Sequence, residues 1–250
     1  MKIAFETGLL CRRRLLEQIR SPIWLFMGLT TPLFYLALFA PLLGGLPTVG
    51  GAGVADAFVP GLLALFALSS GTGIGWIINH ELKTGIIERF RVSPVSRFSL
   101  LMGNVLKDIV TFLLPALIVI IVASFAGFHI HAGGLAVLLV LLCLLTAVVS
   151  AASSSLGLVA KDIGTIAAVV TGLQLPITLL AGVLLPISLG PAWLQVLAHL
   201  NPLYYVVEAS RVLAGGTIWD GKVLWAFGVM IPLLGITLSW AVNVYRKAVA

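Results

Sequence analysis

The longest stretch of the chain without a charged residue covers residues 109–160 and reads IVTFLLPALIVIIVASFAGFHIHAGGLAVLLVLLCLLTAVVSAASSSLGLVA. Its residues do not alternate between polar and apolar, as the strands of a membrane barrel do. Residues Phe128–Gly134 (FHIHAGG) divide it into two runs, each long enough to cross about 30 Å of hydrocarbon as a helix of about 20 residues. Because backbone groups within lipid must satisfy their own hydrogen bonds, the two runs predict a pair of transmembrane helices.

The same pattern continues along the chain. Of the 250 residues, 60% are hydrophobic and 10% are charged, whereas a typical soluble domain carries about 25% charged residues. Further uncharged stretches cover residues 21–55, 57–79, 163–207 and 223–245. Pro186, Gly190 and Pro191 end the span that begins at residue 163. The predicted spans are residues 22–43, 57–79, 109–128, 134–159, 163–185 and 222–244. We therefore predict an all-α polytopic membrane protein with six transmembrane helices in one domain, residues 1–250.

The basic residues divide unequally between the two sides of such a bundle. One side collects 13 of the 15, namely Lys2, Arg12, Arg13, Arg14, Arg20, Lys83, Arg89, Arg91, Arg97, Lys107, Lys161, Arg246 and Lys247. The other side holds Arg211 and Lys222. Because loops rich in Lys and Arg stay in the cytoplasm, both termini are predicted to be cytoplasmic. The net charge of +6 is spread in short clusters between apolar runs, which indicates topology signals and not nucleic-acid binding.

Two segments outside the spans are apolar without being long enough or regular enough to cross. Residues 1–20 mix aliphatic and cationic side chains, which suits a helix lying in the cytoplasmic headgroup layer. Residues 187–221 are interrupted by Pro191, Pro202 and Gly215-Gly216. This outer segment is too broken to span and too apolar for a free loop, so we predict one or two short re-entrant helices in the outer leaflet.

Residues 80–100 form the longest predicted cytoplasmic loop. Leu82, Ile86 and Phe90 recur every four residues and make an apolar stripe, and Ser93-Pro94 ends the helix. Four residues are predicted to fall on the opposite, polar face: Glu81, Thr84, Glu88 and Arg91. A short amphipathic helix of this kind either docks into a groove of a soluble partner or rests on lipid headgroups, and the residues alone leave both open.

Two blocks of residues carry a family resemblance. The first consists of Glu81, Gly85, Glu88, Arg89, Ser93, Pro94 and Arg97, and the second of Pro191, Trp193, Leu194, Asn201, Pro202, Leu203, Tyr204, Tyr205, Val206, Val207, Glu208, Arg211, Gly215 and Gly216. In this order, with an amphipathic N-terminus and six spans, they resemble the permeases of type-two ABC exporters. Daunorubicin-resistance and polysaccharide-export permeases belong to that family.

The resemblance implies a permease subunit of an ATP-driven exporter, with a hydrophobic or amphipathic substrate such as a drug, a lipid or a glycan. Two permease subunits, identical or paralogous, would pair with two ATP-binding subunits that hold the ATP and Mg²⁺. The first block, residues 81–97, would couple to the ATPase, and residues 1–20 would be the connecting helix beside it. Asn201, Pro202, Tyr204, Glu208 and Arg211 would line or cap the outer exit. The bacterial inner membrane is the implied location, and multidrug resistance an implied role.

The sequence shows no motif for enzyme chemistry. It lacks a glycine-rich loop followed by Lys-Ser or Lys-Thr, and it lacks His-Glu-x-x-His. Gly71–Gly75 (GTGIG) lies within a span, where small residues at a helix contact explain it better than a dinucleotide site. Cys11 and Cys143 are far apart, and His129 and His131 have no third ligand nearby, so no metal site and no cofactor is predicted for this chain.

Polar residues inside the spans are candidates for lining a translocation path, since such residues are costly unless they face protein or water. The candidates are Ser69, Ser70, Thr72, Asn79, Thr171, Gln174 and Thr178. Hydrogen bonding between helices is the alternative. Glu208 and Arg211 lie one helical turn apart and are expected to pair.

An ion-coupled secondary transporter is the alternative function. Such carriers place an ionisable residue mid-span. Here Asp56, Asp108, Asp162 and Glu208 are predicted to fall near span ends or outside the spans, which favours the exporter.

Overall fold

The computed structural model describes residues 2–20, 28, 30–38, 54–85, 96–125, 127–129, 131–160, 162–183, 187 and 190–248. Within these ranges the chain is almost entirely helical and forms no strand. The helices are α1 (Lys2–Ile19), α2 (30–38), α3 (Val54–Thr72), α4 (Ile74–Lys83), α5 (Arg97–Phe125), α6 (Ala132–Val159), α7 (Ile163–Leu180), α8 (Ala192–His199), α9 (Pro202–Ala214) and α10 (Gly221–Ala248). The all-α membrane fold predicted from the sequence is confirmed.

Among the described residues, five stretches are long and apolar enough to cross a membrane. They are α3 and α4 together (Phe58–Lys83), α5, α6, α7 and α10. These correspond to five of the six predicted spans. Most of the remaining predicted span, residues 22–43, lies outside the described residues, although α2 falls within it. The chain is therefore a multi-pass membrane protein.

Helix α6 is the centre of the bundle and contacts α3, α4, α5, α9 and α10. Its apolar residues Leu138, Leu141 and Leu142 are fully buried, as expected for a helix that is apolar around its whole circumference. Helix α7 lies at the edge: Ile166 is buried, but most of its other side chains are exposed. In a membrane this exposed apolar surface suits contact with lipid. Asp162 caps α7 by accepting a hydrogen bond from the backbone N–H of Thr165 at 2.8 Å, which lowers the pKa of the Asp162 carboxyl.

The helix termini meet at two ends of the bundle. At one end, which we call the basic end, α1 contacts the C-terminus of α4 and the N-terminus of α5, and the guanidinium of Arg97 bonds the carbonyl of Arg246 at 3.3 Å. At the opposite end, the backbone N–H of His129 bonds Asp56 at 3.0 Å. The assignment of the basic end to the cytoplasm stays a prediction.

The largest difference from the predicted spans is the start of the third one. It was predicted at residue 109, but α5 begins at Arg97. Lys107 and Asp108, which were placed at a loop or span end, therefore lie inside the bundle, with Asp108 only 1% exposed. The prediction was wrong because it ended each span at a charge, whereas these two charges neutralise each other as an ion pair. Of the four acidic residues predicted near span ends or outside the spans, Asp108 lies within a helix of the bundle instead.

The two segments outside the spans agree with their predicted form. Helix α1 packs one face on α5, where Thr7 is buried, and leaves Phe5, Leu9, Leu16 and Ile19 exposed. This is the amphipathic pattern expected of a helix at a membrane surface. The outer segment contains the two short helices α8 and α9, which are joined at Asn201.

Candidate functional site

A cavity of about 880 Å³ opens between α1, α2, α3, α4 and α5, and Gln174 of α7 closes one side of it. We call it the α1–α5 cavity. Much of its wall is apolar or aromatic, from residues such as Leu62, Phe66 and Trp76. Polar groups, including Ser69 and Ser70, contribute the rest. Pockets of about 300–1,000 Å³ with a few placed polar groups are typical of small-molecule sites.

The boundary between α3 and α4 lies close to the serines of the cavity wall. Helix α3 ends at Thr72 and α4 begins at Ile74, with Gly73 between them in a helical conformation. The hydroxyl of Ser153 on α6 donates to the carbonyl of Thr72 at 2.5 Å and accepts from the N–H of Gly75 at 3.1 Å. One side chain of the central helix thus bonds backbone groups on both sides of Gly73.

The basic-end part of the cavity carries buried charges. The ammonium of Lys107 pairs with the Asp108 carboxylate, which also accepts a hydrogen bond from the hydroxyl of Ser150 at 2.5 Å. Arg14 of α1 lines the same cavity and pairs with Glu81 of α4 at 2.6 Å. Burial works to lower the pKa of Arg14, but the hydrogen bond and the charge of Glu81 outweigh it and raise that pKa. Arg14 is therefore held charged in a largely buried position.

Helix α1 holds both ends of the predicted coupling loop. Arg14 bonds Glu81, the first residue of the predicted coupling segment 81–97. Glu6 accepts hydrogen bonds at the other end, from the N–H of Ser96 at 3.1 Å and the hydroxyl of Ser99 at 3.3 Å. We call these residues the α1 clamp: Glu6, Arg14, Glu81, Ser96 and Ser99. Helix α1 thus bonds described residues on both sides of residues 86–95.

A close contact of small residues joins α4 to α6. A methyl group at Gly75 would lie 2.7 Å from the carbonyl oxygen of Ser153, and one at Gly157 would overlap the backbone of Gly75. The amide of Asn79 adds hydrogen bonds to the carbonyls of Gly157 at 3.3 Å and Ala160 at 2.8 Å. The expectation that the glycines at residues 71–75 serve helix contact holds for Gly71 and Gly75, whereas Gly73 has open space around it.

At the opposite end, Asn201 of the outer segment is bonded to α7. Asn201 caps α9 by accepting from the N–H of Leu203 at 3.0 Å, and its amide donates to the carbonyl of Ile177 on α7 at 2.7 Å. Pro202 occupies the first turn of α9, where its missing N–H costs nothing. The ring of Tyr204 packs on His199 with centroids 5.0 Å apart.

The expected pair of Glu208 and Arg211 is present at 3.1 Å, and it is part of a larger cluster. Glu208 also pairs with Lys222 of α10 at 2.8 Å, and Arg211 donates to the carbonyl of Gly182, beyond the end of α7, at 2.6 Å. Burial lowers the pKa of Arg211, while the charge of Glu208 opposes that shift. The cluster links α7, α9 and α10.

Replacing Arg211 with methionine should lower the stability of the protein by about 1–3 kcal/mol, because the carbonyl of Gly182 loses its charged donor. Lys222→Met is the matched control: its side chain is 56% exposed, so its pair with Glu208 should be worth at most about 1 kcal/mol. Thermal unfolding of both variants in detergent measures the difference. Equal destabilisation would show that the contact with Gly182 contributes nothing.

The structure brings together part of the predicted pathway set. Ser69, Ser70 and Gln174 line the α1–α5 cavity, and the amide of Gln174 donates to the hydroxyl of Ser69 at 2.9 Å. Asn79 instead lies in the contact between α4 and α6. Thr171 is exposed. The hydroxyl of Thr178 is buried without a hydrogen-bond partner among the described residues.

The predicted coupling residues are described only in part. Glu88, Arg89, Ser93 and Pro94 lie outside the described residues. Gly85 follows α4 with a φ of 72°, a conformation that favours glycine, and Arg97 begins α5. Glu81 was predicted on the exposed polar face of its helix. It is buried against α1 instead, because Arg14 supplies a partner that its own helix does not reveal.

Comparison with known proteins places the chain among membrane transport proteins. A family model described as "ABC-2 type transporter" matches residues 6–214. The chain is similar to the daunorubicin resistance ABC transporter permease protein DrrB1 of Streptomyces coeruleorubidus, with 24% identity over 231 residues, 90% of this chain and 81% of that protein. It is also similar to the inner membrane transport permease YadH of Escherichia coli K12, with 31% identity over 150 residues, 59% of this chain and 57% of that one.

Proposed function

The chain belongs to the ABC-2 type transporter family, and on this basis we propose that it is the permease subunit of an exporter driven by ATP hydrolysis on a separate subunit. The observation that carries the proposal is the double role of Arg14. The same side chain lines the α1–α5 cavity and bonds Glu81 beside the predicted coupling loop. A movement that the separate subunit imposes on that loop would therefore be transmitted by one ion pair to the cavity. The cavity is large enough to hold a small-molecule substrate.

The direction of force transmission follows from the α1 clamp. An ATP-binding subunit that closes against the loop would displace both ends of it together, since α1 holds Glu81 and Ser96. Helices α1 and α5 are walls of the cavity, so their displacement changes its shape and access. The 250 residues contain no phosphate-binding loop of the Lys-Ser or Lys-Thr type, so ATP and Mg²⁺ are assigned to the partner.

The remaining assignments follow from the family and the composition of the cavity. Two permease subunits, identical or paralogous, would assemble with two ATP-binding subunits. The apolar wall and polar basic end of the cavity suit a hydrophobic or amphipathic substrate, and a relative named for daunorubicin resistance favours a drug-like one. The basic end is assigned to the cytoplasm and the chain to a bacterial inner membrane. The outer segment, α8 and α9, would line or cap the exit.

Two substitutions in the loop should weaken binding of the ATP-binding subunit. Glu88→Lys reverses a charge at the proposed contact. Gly85→Pro is incompatible with a φ of 72°, because proline fixes φ near −65°. Each should lower the amount of ATPase subunit that co-purifies with the permease, without lowering the permease yield. Asp220→Lys, an acid-to-lysine reversal at the opposite end, is the control. Undiminished co-purification in both loop variants would count against the coupling assignment.

Reconstitution tests the function itself. The permease is placed in vesicles alone or with its ATP-binding subunit, and release of candidate amphipathic substrates is followed with and without ATP. Transport that requires both the second subunit and ATP hydrolysis is the expected result. Transport by the permease alone, driven by an ion gradient and indifferent to ATP, would replace the proposal with a secondary carrier.

One observation favours that second function. The pair of Lys107 and Asp108 is an ionisable group inside the bundle, the kind of feature that ion-coupled carriers use. Two features favour the exporter. The family's named relatives are transport permeases, including an ABC transporter permease, and the buried charge pair is already neutral without a coupling ion. The vesicle experiment separates the two functions directly.

A further inference from the structure

We propose that Asp108 is the cation-binding group of the α1–α5 cavity, and that the cavity selects amphiphiles with a positively charged head over anionic ones. The inference rests on the proposed function, since it names the class of substrate that this permease would take. It begins from the buried pair of Lys107 and Asp108, which the coupling role proposed for Arg14 and Glu81 does not use.

The carboxylate of Asp108 is fixed in place. It is 1% exposed, and one of its oxygens accepts a hydrogen bond from Ser150 of the central helix α6 at 2.5 Å. An aspartate has a short side chain, so this carboxylate cannot follow a ligand far from its position. The cavity therefore contains a stationary negative charge.

The counter-charge is carried by a longer side chain, which is also buried, at 7% exposed. Lys107 is the next residue of the same helix and reaches Asp108 with a long, flexible side chain. A lysine of this kind can extend along an apolar wall and carry its ammonium group toward water. An incoming cation can therefore take the place of Lys107 on Asp108 without leaving a buried carboxylate unpaired.

The corresponding exchange is less favourable for an anion. To bind Lys107 it would have to displace Asp108, which Ser150 holds in place, and a bare buried carboxylate is costly. Arg14 does not offer a second anion site, because it is already paired with Glu81 at 2.6 Å. The asymmetry between a fixed acid and a movable base makes the cavity selective for cations.

The aromatic residues that line the cavity also favour a cationic ligand. Tyr35, Phe66 and Trp76 line it, and aromatic faces attract cations as well as flat apolar groups. A volume of about 880 Å³ accommodates a drug-sized molecule. A lipophilic amine or another delocalised cation with an aromatic body would use both the charge and the wall.

The test measures binding of rhodamine 6G, a lipophilic cation, and of Nile red, an uncharged dye. The full-length permease is placed in phosphatidylcholine nanodiscs, and the anisotropy of each dye is compared with that in empty nanodiscs. Asp108→Asn, which retains the shape and a hydrogen bond to Ser150, should weaken rhodamine 6G binding about tenfold or more. Lys107→Met removes the internal competitor and should tighten it severalfold. Nile red binding should change less than about twofold in both.

The double variant Lys107→Met/Asp108→Asn controls for misfolding of the single variants. It removes both charges, so no buried charge is left unpaired. It should bind rhodamine 6G about tenfold more weakly than the native chain, while its affinity for Nile red changes less than about twofold. Unchanged rhodamine 6G affinity in Asp108→Asn or in the double variant would overturn the inference. So would equal losses for both dyes. If either result accompanied intact ATP-driven export in vesicles, the proposed function would stand and the cation site would not.

Discussion

Reversing the charge at Glu81 by Glu81→Arg should abolish ATP-driven transport while the permease still inserts and pairs with its ATP-binding subunit. Glu81 and Arg14 are joined at 2.6 Å in a largely buried position. Removing one partner of such a pair costs about 3–5 kcal/mol, because a buried charge is left uncompensated. Here that cost would be relieved by α1 moving away from α4, which breaks the α1 clamp. Transport and ATP hydrolysis measured in the same vesicles should become uncoupled.

The double variant Arg14→Glu/Glu81→Arg restores the pair with its charges exchanged and should recover a substantial part of the transport. Arg13→Glu is the matched control on the same helix. Arg13 pairs with Glu17 at 2.9 Å, but both side chains are about half exposed, so the effect on transport should be small. Full transport by Glu81→Arg, or loss as severe in Arg13→Glu, would contradict the role of the clamp.

Replacing Gly157 should have the largest effect on folding. A methyl group there would overlap the backbone of Gly75, so even Gly157→Ala must push α4 away from α6. We expect Gly157→Ala to lower stability by about 1–3 kcal/mol, and Gly157→Leu to prevent recovery of folded permease. Separation of these helices would also break the bonds from Asn79 to Gly157 and Ala160.

Gly235→Ala on α10 is the matched control, because a side chain at that position meets nothing within 4 Å. It should leave stability unchanged or raise it by up to about 1 kcal/mol, since alanine favours a helix over glycine. Size-exclusion profiles and thermal unfolding in detergent distinguish the three variants. A stable, monodisperse Gly157→Leu protein would show that α4 and α6 do not pack as closely as the structure indicates.

The spans could be predicted from the sequence because each is a property of its own residues. Long apolar runs, and the prolines and glycines between them, are local signals, and they located α6 and α10 to within a few residues. The same locality explains the error at α5. The rule that a charge ends a span is sound for a single charge, but Lys107 and Asp108 neutralise each other. Asp108 also accepts a hydrogen bond from Ser150, which lies 42 residues further along the chain.

The candidate site could be predicted only where its partners are close in sequence. Glu208 and Arg211, three residues apart, were paired correctly. The contact between Arg211 and Gly182, and the one between Glu6 and Ser96 across 90 residues, depend on how the helices pack and leave no local pattern. Glu81 was predicted to be exposed from its position on its own helix. The prediction was wrong because its partner Arg14 lies on another helix.

Cross-linking from the loop is the most direct test of whether residues 81–97 contact the ATP-binding subunit. In a permease with Cys11→Ala and Cys143→Ala, a benzophenone maleimide is attached to Glu88→Cys, and vesicles that contain the ATP-binding subunit are illuminated. The same probe at Trp219→Cys, a position 92% exposed at the opposite end, is the control. The account predicts a cross-link to the ATP-binding subunit from Glu88→Cys and none from Trp219→Cys. A cross-link from Trp219→Cys, or its absence from Glu88→Cys in vesicles that transport with ATP, would contradict it.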